Sequence, residues 1–549
     1  MGKLLILLFS FFLIVNLNAQ DVFHRTTINT LQYEPGGGGF GNVIAGVDWD
    51  KDGLPEIYAV NANYIDRLTG ELIPKIYKFE WNPSTAQWDS VWGAVLPAQA
   101  QNTWIGLAAG DLDKDGKPEL IWAPSNYPDP PDPALVNPNP LRIIVYEVVG
   151  DGSDNLGVDD GFGSFLPNAS TTLVTEDNYN LRPLQLKIAD IDNDGTDEIV
   201  FCDQATSWHY GVVSVDNIPD NGDGSETWTV EANGANDPIL QNASNTWDLD
   251  IVGNTIYLFD QTGFIYPVKY ENGTYTTLPA LTNVAGTTGS FKGSVTYDLD
   301  NDGTSEIILG GWSDDQLYVL KQVADTLQTF NVGTFPGADR MNGAAMGDLD
   351  NDGKPDFVFG TRSAATPNNA VYRAEFQGGD ISDPANYQIS LIDSLLVPAP
   401  GGTGGQLDVF YVANVDGDPA DEVLYTQGYT RGVGNDTTAD LAILDIHQTP
   451  LSVKLVNSKI PSQYYLNQNF PNPFNPSTTI RFGLTKEMSV DLKVYNVLGQ
   501  EVMTLVNGQL MKAGSYDVNF NASKLASGTY IYRLKAGNQV LSKKMVLLK

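Results

Sequence analysis

Along the first 450 residues, short apolar runs recur in pairs, each pair split by a polar, acid-rich turn. The runs before the turn are rich in small residues: NVIAGV, WIGLAAG, LQLKIA, GSVTY and NGAAMG. Those after it are IYAV, LIWA, IVFC, IILG and FVFG. Runs this short, bounded by Gly, Asp and Asn, have strand length. No convincing helical period separates the pairs. The pattern predicts an all-β chain built from hairpins.

The turn itself repeats. It reads DWDKDGLPE from Asp48, DLDKDGKPE from Asp111, DIDNDGTDE from Asp190, DLDNDGTSE from Asp298 and DLDNDGKPD from Asp348. A sixth copy, NVDGDPADE from Asn414, keeps the spacing but has Asn for the first Asp and Pro419 for the Gly. In that frame DLDIVGNTI from Asp248 is a seventh unit, with Val252 and Ile256 where ligands should stand; it is expected to keep the turn and to have lost an ion. The starts at 48, 111, 190, 248, 298, 348 and 414 are separated by 50 to 79 residues, which suits one four-stranded blade each, with insertions in the longer intervals.

Acids at alternate positions of a tight turn can wrap one hard cation, because calcium takes six to eight oxygens and the residues between the acids point away. The expected side-chain ligands are Asp48, Asp50, Asp52 and Glu56; Asp111, Asp113, Asp115 and Glu119; Asp190, Asp192, Asp194 and Glu198; Asp298, Asp300, Asp302 and Glu306; Asp348, Asp350, Asp352 and Asp356; and, more weakly, Asn414, Asp416, Asp418 and Glu422. The carbonyls of Leu54, Lys117, Thr196, Thr304, Lys354 and Ala420 would fill a further position in each. Five or six structural Ca²⁺ ions are expected. The same residues recur in the same turn, which argues against catalytic acids and bases.

Charge supports that use of the acids. Residues 461–549 hold ten Lys and Arg against four Asp and Glu, so the net charge of −36 leaves −42 on residues 1–460. Such a body repels nucleic acid. The leader MGKLLILLFSFFLIVNLNAQ has Lys3, an apolar run and Ala19, the layout of a signal peptide over 1–19, and no other stretch could span a bilayer. Cys202 is the only cysteine, so an exported chain cannot rely on an intrachain disulfide.

The copies, above all AAGDLDKDGKPELIWA and AAMGDLDNDGKPDFVFG, resemble FG-GAP (VCBS-type) repeats, the blades of integrin α-subunit propellers and many bacterial surface proteins. The resemblance covers roughly 22–447 and implies a seven-bladed β-propeller, placed here at 20–450. After a linker at 451–463 the acids become scarce. Alternation such as Val490, Leu492, Val494 and turns such as Asn-Gly and Ser-Gly predict a small β-sandwich over 464–549, of the Ig-like kind. NPFNPST, VYNVLGQEV, LASGTYIYRL and KKMVLLK, in that order, resemble the type A C-terminal sorting domain of the type IX secretion system, with Gly499, Gly528 and Lys544 marking its blocks. That resemblance implies Sec-dependent export, passage across the outer membrane with the type IX machinery as partner, and release or surface attachment.

A propeller usually binds its partner around the channel mouth, at the start of each inner strand. There the chain offers Trp104, Arg182, Phe291, Arg340, Met341 and Gln406, with Lys292 adjacent, a set able to meet an extracellular glycan or peptide. His24, His209 and His447 have no metal-ligand spacing, and no nucleophile–base set suggests itself. The leading expectation is a non-enzymatic, secreted or surface-displayed binding or adhesion module. The runner-ups are a glycan-active enzyme of the polysaccharide-lyase kind and a structural envelope protein.

Overall fold

A computed structural model describes residues 23–28, 38–62, 73–82, 87–96, 105–124, 139–176, 179–281, 289–338, 340–361, 368–396, 407–417, 420–427, 438–445, 454–457, 461, 463–475, 477–486, 488–497, 501–511, 513–522, 525, 527–537 and 539–548. The expected leader, Trp104, Gln406, Asp418, His447 and Gly499 lie outside the described residues. Apart from two single 3-10 turns, Leu240–Asn242 and Pro384–Asn386, the regular structure of the described residues is all strand. No helix among them is long and apolar enough to cross a membrane, which says nothing about spanning by strands.

Before residue 446 the described strands form seven large antiparallel sheets, numbered here in chain order by their first strands, and one small pair, Val158–Asp159 with Phe165–Leu166. Sheet 1 holds Gly38–Val47, Glu56–Ala62, Lys75–Asn82 and Gln87–Val95, with Thr438–Ala439 added in parallel at its first strand. Sheet 2 holds Gly106–Gly110, Glu119–Ala123, Ile143–Glu147 and Ala169–Thr171; sheet 3 holds Pro183–Ala189, Glu198–Asp203, Tyr210–Asp216 and Thr227–Asn233. Sheet 4 holds Thr246–Val252, Thr255–Asp260, Ile265–Glu271 and Thr274–Thr277; sheet 5 holds Ser294–Tyr297, Glu306–Gly310, Gln316–Val323 and Thr326–Thr334. Sheet 6 holds Met341–Gly347, Asp356–Thr361, Asn368–Phe376 and Tyr387–Leu396.

Sheet 7 differs in origin. Its first three strands, Leu407–Ala413, Glu422–Gln427 and Leu441–Asp445, lie side by side in chain order, but its fourth is His24–Ile28 from the start of the chain, in register from His24↔Asp445 to Ile28↔Leu441. The two ends of the ring-forming segment are thereby tied by backbone hydrogen bonds. The seven first strands touch their neighbours in order, and Leu407–Ala413 touches Gly38–Val47 to close the cycle.

Burial explains the apolar runs. In sheet 2 the second strand ELIWA is buried throughout; Leu120 and Trp122 pack toward sheet 1, while Ile121 and Ala123 pack toward sheet 3. Successive side chains alternate across the pleat, so a strand with a neighbouring sheet on each face must be apolar at every position. An apolar cluster fills each interface around the cycle, the last joining Phe40 and Ile57 of sheet 1 to Leu424 and Ile443 of sheet 7.

Two further antiparallel sheets follow. One is ordered Lys454–Asn457, Gly514–Asn521, Ser477–Leu484, Tyr465–Leu466; the other Glu501–Met511, Met488–Asn496, Gly528–Ala536, Gln539–Leu547. They share one core, which includes Ile480, Phe482, Leu492, Tyr532 and Met545. Lys454–Asn457, within the stretch expected as a linker, pairs with Gly514–Asn521. The first and last motif blocks meet: Phe474 donates its N–H to Val546 O at 3.0 Å and accepts from Leu548 N at 3.0 Å, while Val546 N donates to Asn472 Oδ1 at 2.9 Å.

Candidate metal centres and ligand face

In sheets 1, 2, 3, 5 and 6 the acid turn joins the first strand to the second, as the sequence pattern predicts. The acid at position one accepts from the N–H of the turn's glycine: Gly53 to Asp48, Gly116 to Asp111, Gly195 to Asp190, Gly303 to Asp298 and Gly353 to Asp348, at 2.9–3.2 Å. The acid at position five accepts from the N–H of residue seven, Leu54, Lys117, Thr196, Thr304 or Lys354, at 2.7–2.9 Å. The buried acid at position nine accepts from residue two, as in Leu112 to Glu119 at 2.6 Å and Ile191 to Glu198 at 2.8 Å. These bonds hold the turn while leaving other carboxylate oxygens to converge.

The glycines lie at φ of +82° to +96°, where a side chain would be strained. Position four is left-handed too, at Lys51, Lys114, Asn193, Asn301 and Asn351. Asn tolerates that region better than most residues, which accounts for its recurrence there.

Asp111, Asp113, Asp115 and Glu119 each turn one oxygen into a group whose members all lie within 4.8 Å of one another, and so do Asp190, Asp192, Asp194 and Glu198. Asp48, Asp50 and Glu56 form a smaller group. Asp111 Oδ1, Glu119 Oε1 and Glu198 Oε1 are buried with no hydrogen-bond partner. Burial, with the charges of Asp113 and Asp111, pushes the Glu119 carboxyl up to about 9; burial, with Glu231 and Asp192 nearby, pushes Glu198 up to about 8. A converging all-oxygen, all-anionic set with orphaned buried oxygens fits a hard divalent cation and suits soft metals poorly.

The loops are not alike in charge. Lys78, on the third strand of sheet 1, has its side chain 1% exposed and places Nζ 2.7 Å from Asp50, 2.9 Å from Glu56, 2.9 Å from Glu80 and 2.9 Å from Asp154. In sheet 6, Arg373 Nη2 lies 2.7 Å from Asp350 and 2.8 Å from Glu375, and its Nε 2.5 Å from Asp356. In sheet 5, the more exposed Lys321 pairs with Asp300, with Asp302 at 2.7 Å and with Glu306 at 3.4 Å. Lys117 pairs with Asp220 and lies 3.2 Å from Asp115 Oδ2 and 3.4 Å from Glu147. Among the described residues no ion pair reaches Asp111, Asp113, Glu119, Asp190, Asp192, Asp194 or Glu198.

In sheet 7, Gly417 N donates to Asn414 Oδ1 at 2.7 Å and Val415 N to Glu422 Oε2 at 2.7 Å, so this turn keeps the position-nine bond. Sheet 4 departs from the expected frame. Asp248 and Asp250 lie inside the strand Thr246–Val252, and Val252 pairs with Thr255 across a two-residue turn, Gly253–Asn254. There is no nine-residue loop to keep. Asp248 instead accepts from Ser290 Oγ and from Ser294 N at 3.1 Å and Oγ at 2.7 Å, and Asp250 lies 3.0 Å from Lys187 Nζ. These acids stitch the first strands of sheets 3, 4 and 5 together. Burial, with the charge of Asp250, pushes the Asp248 carboxyl up to about 7.

At the strand ends away from the acid turns, Arg340 is exposed and its guanidinium lies 5.5 Å from the centre of the Trp312 ring. Trp312, Phe291 and Trp247 form a cluster with ring centres 4.7–5.6 Å apart. Phe291 and Met341 are buried, so they back this face and do not form its outer surface. Arg182 is buried as well, with Nη1 donating to Gln204 Oε1 at 3.3 Å, and belongs to the packing between strands. Lys292 lines a cavity of about 280 Å³ at the centre of the cycle, with Asn42, Gln185, Lys187, Ser294 and Tyr411. Sequence reasoning missed Trp247 and Trp312, whose partners are distant in the chain. It also missed Lys78 and Arg373, although each stands two residues before an acid on a third strand, in KFE and RAE.

A ring of four-stranded sheets with acid turns at one end, followed by a two-sheet domain, is the class of protein these observations define. The FG-GAP-like repeat family matches residues 48–122 and 298–359, and the secretion system C-terminal sorting domain family matches residues 468–548. The chain carries FG-GAP-like repeats and a type IX secretion sorting domain; the latter implies interaction with that secretion system and export to the cell surface or the extracellular space. No curated protein matches the chain.

Solved structures give distant likenesses. A Bacteroides fragilis protein provisionally assigned as a 6-phosphogluconolactonase is 13% identical, covering 63% of this chain and 82% of its own, at a TM-score of 0.37. The S. cerevisiae core factor is 10% identical over 77% of this chain and 60% of its own, at 0.41. An exo-β-1,3-galactanase from Phanerochaete chrysosporium is 8% identical over 66% of this chain and 95% of its own, at 0.27. Likeness this distant does not bear on activity.

Proposed function

We propose that the chain is a seven-bladed, calcium-bearing β-propeller joined to an Ig-like sandwich, and that it acts outside the cell as a non-catalytic binding or adhesion module. In this reading Asp111, Asp113, Asp115 and Glu119, and the matching residues of the other repeats, hold structural Ca²⁺. Bound calcium would supply the positive charge that lets four carboxylates share one turn; the chain's own part is to fix the turn through the position-one, -five and -nine bonds.

The observation that carries the binding role is the exposed Arg340 over Trp312, backed by Trp247 and Phe291, at the end of the strands away from the acid turns. A guanidinium held on a buried aromatic face is steadied to meet a carboxylate or sulfate, which suits an acidic glycan or an acidic segment of a surface protein. Calcium-loaded full-length chain would be screened against glycans and surface proteins. Arg340→Ala and Trp312→Ala are expected to weaken the identified interaction at least tenfold; unaltered binding in both variants would remove this face from the proposal.

A further inference from the structure

The five complete turns share one pattern but not one charge environment, and the difference lies at a single register position. The residue of the third strand that faces the second strand two places beyond the last acid is Lys78 in sheet 1, opposite Tyr58, and Arg373 in sheet 6, opposite Val358. The same position holds Val145 in sheet 2, Val212 in sheet 3 and Val319 in sheet 5. We propose that Lys78 and Arg373 are built-in cations that take the place of a metal ion in the turns at 48–56 and 348–356, whereas the turns at 111–119, 190–198 and 298–306 take a divalent cation. This rests on the calcium reading given above and deepens it.

Each built-in cation engages the acids at positions three and nine. Lys78 holds Asp50 and Glu56, and Arg373 holds Asp350 and Asp356, at 2.5–2.9 Å. Those acids cannot converge on a divalent ion without bringing it against a fixed positive group. Lys78 and Arg373 are 1% and 4% exposed, so neither can swing out into solvent to make room. Each is also held from outside the turn, by Glu80 and Asp154 in one case and by Glu375 in the other.

The turns at 111–119 and 190–198 are the reverse. A buried glutamate aims an oxygen with no hydrogen-bond partner into each group, Glu119 at 0% exposure and Glu198 at 1%, and a valine stands where the cation would be. Within its turn, Lys117 touches only Oδ2 of Asp115. Lys321 of sheet 5 sits opposite Glu306 itself, two places nearer the turn, and is 23% exposed, so it can withdraw and leave that turn to the ion. The chain thus carries two answers to the same crowding of carboxylates.

Native mass spectrometry of the full chain in calcium counts bound ions directly. Asp111→Asn and Asp190→Asn are each expected to lower the count by one, while Asp48→Asn and Asp348→Asn leave it unchanged. A count that falls in D48N or D348N as well overturns the built-in cations and leaves the calcium reading standing. A chain that binds no ion, or D111N and D190N with unchanged counts, overturns both. K78M, checked for folding by circular dichroism in calcium, is expected to gain one ion; a folded K78M that gains none overturns the proposal. The D48N and D348N counts decide by themselves if K78M does not fold.

Discussion

The turn at 48–56 and the turn at 111–119 have the same acids, the same left-handed glycine and the same backbone bonds, yet one surrounds a buried ammonium and the other, among the described residues, has only Asp115 in an ion pair, with the more exposed Lys117. Identical local sequence therefore does not mean identical chemistry. What separates them is whether the third strand delivers Lys78 or Val145 to the same register position. A repeat pattern reports which residues can bind a cation; its neighbours in the sheet decide whether one is already there.

The strongest way to break this comparison is Lys78→Met. Removing one partner of a buried ion cluster leaves Asp50, Glu56 and Glu80 unpaired, and about 3–5 kcal/mol of stability should be lost in chelator. Added calcium should recover much of that loss, as measured by denaturant unfolding of the ring; equal loss with and without calcium would contradict the substitution of one cation for the other. Chelating the wild-type chain tests the turns at 111–119, 190–198 and 298–306 together. At a free calcium of 100 times Kd each occupied site contributes ~2.7 kcal/mol, so the melting temperature should drop on chelation and vary with calcium concentration.

Asp248 sharpens the contrast from sheet 4, where one buried acid is tied to Ser290 and Ser294 and the other, Asp250, to Lys187. Its carboxyl is pushed up to about 7, so the folded state holds this proton more tightly than the unfolded state. The stability this contributes is present below the ordinary aspartate range and is lost as pH rises through about 7. In calcium at constant ionic strength, Asp248→Asn should flatten that part of the stability–pH curve by on the order of 3 kcal/mol. A wild-type curve already flat from about pH 4 to 7 would refute it.

The smallest effect is the most diagnostic. Glu119→Gln should cost about 1 kcal/mol or more in calcium, where a charged ligand is lost, but be neutral or stabilising in chelator, where a buried carboxylate no longer has to be kept neutral or paired. Unfolding curves should therefore show a loss of stability in calcium and none in chelator. A shift of the same sign in both would place Glu119 in the packing alone.

Much of this was legible in the chain. The acid turns are local: nine consecutive residues contain the acids and the glycine, with the strands directly on either side, so their position between first and second strands was readable. The all-β character followed from apolar runs too short for helices. The reading failed where chemistry depended on partners far apart in sequence. Asp248 looked like a degenerate turn because its spacing matched, but strand pairing put it inside Thr246–Val252. Arg182 stood where a ligand contact was expected, yet packing buries it against Gln204. Trp312 and Trp247, 65 residues apart, could not be seen as neighbours without the meeting of sheets 4 and 5.

By itself, then, the sequence determined the turns, the strand lengths, the acidic body with its basic end, and the export signal in residues 468–548. Each of these is a property of neighbouring residues or of composition. Only the tertiary structure decided which acid groups already contain a cation, which aromatics gather under Arg340, and that His24–Ile28 returns to complete sheet 7. Those outcomes depend on strand register and on the closing of the cycle, because a one-residue change of register turns a side chain to the opposite face and exchanges its partners.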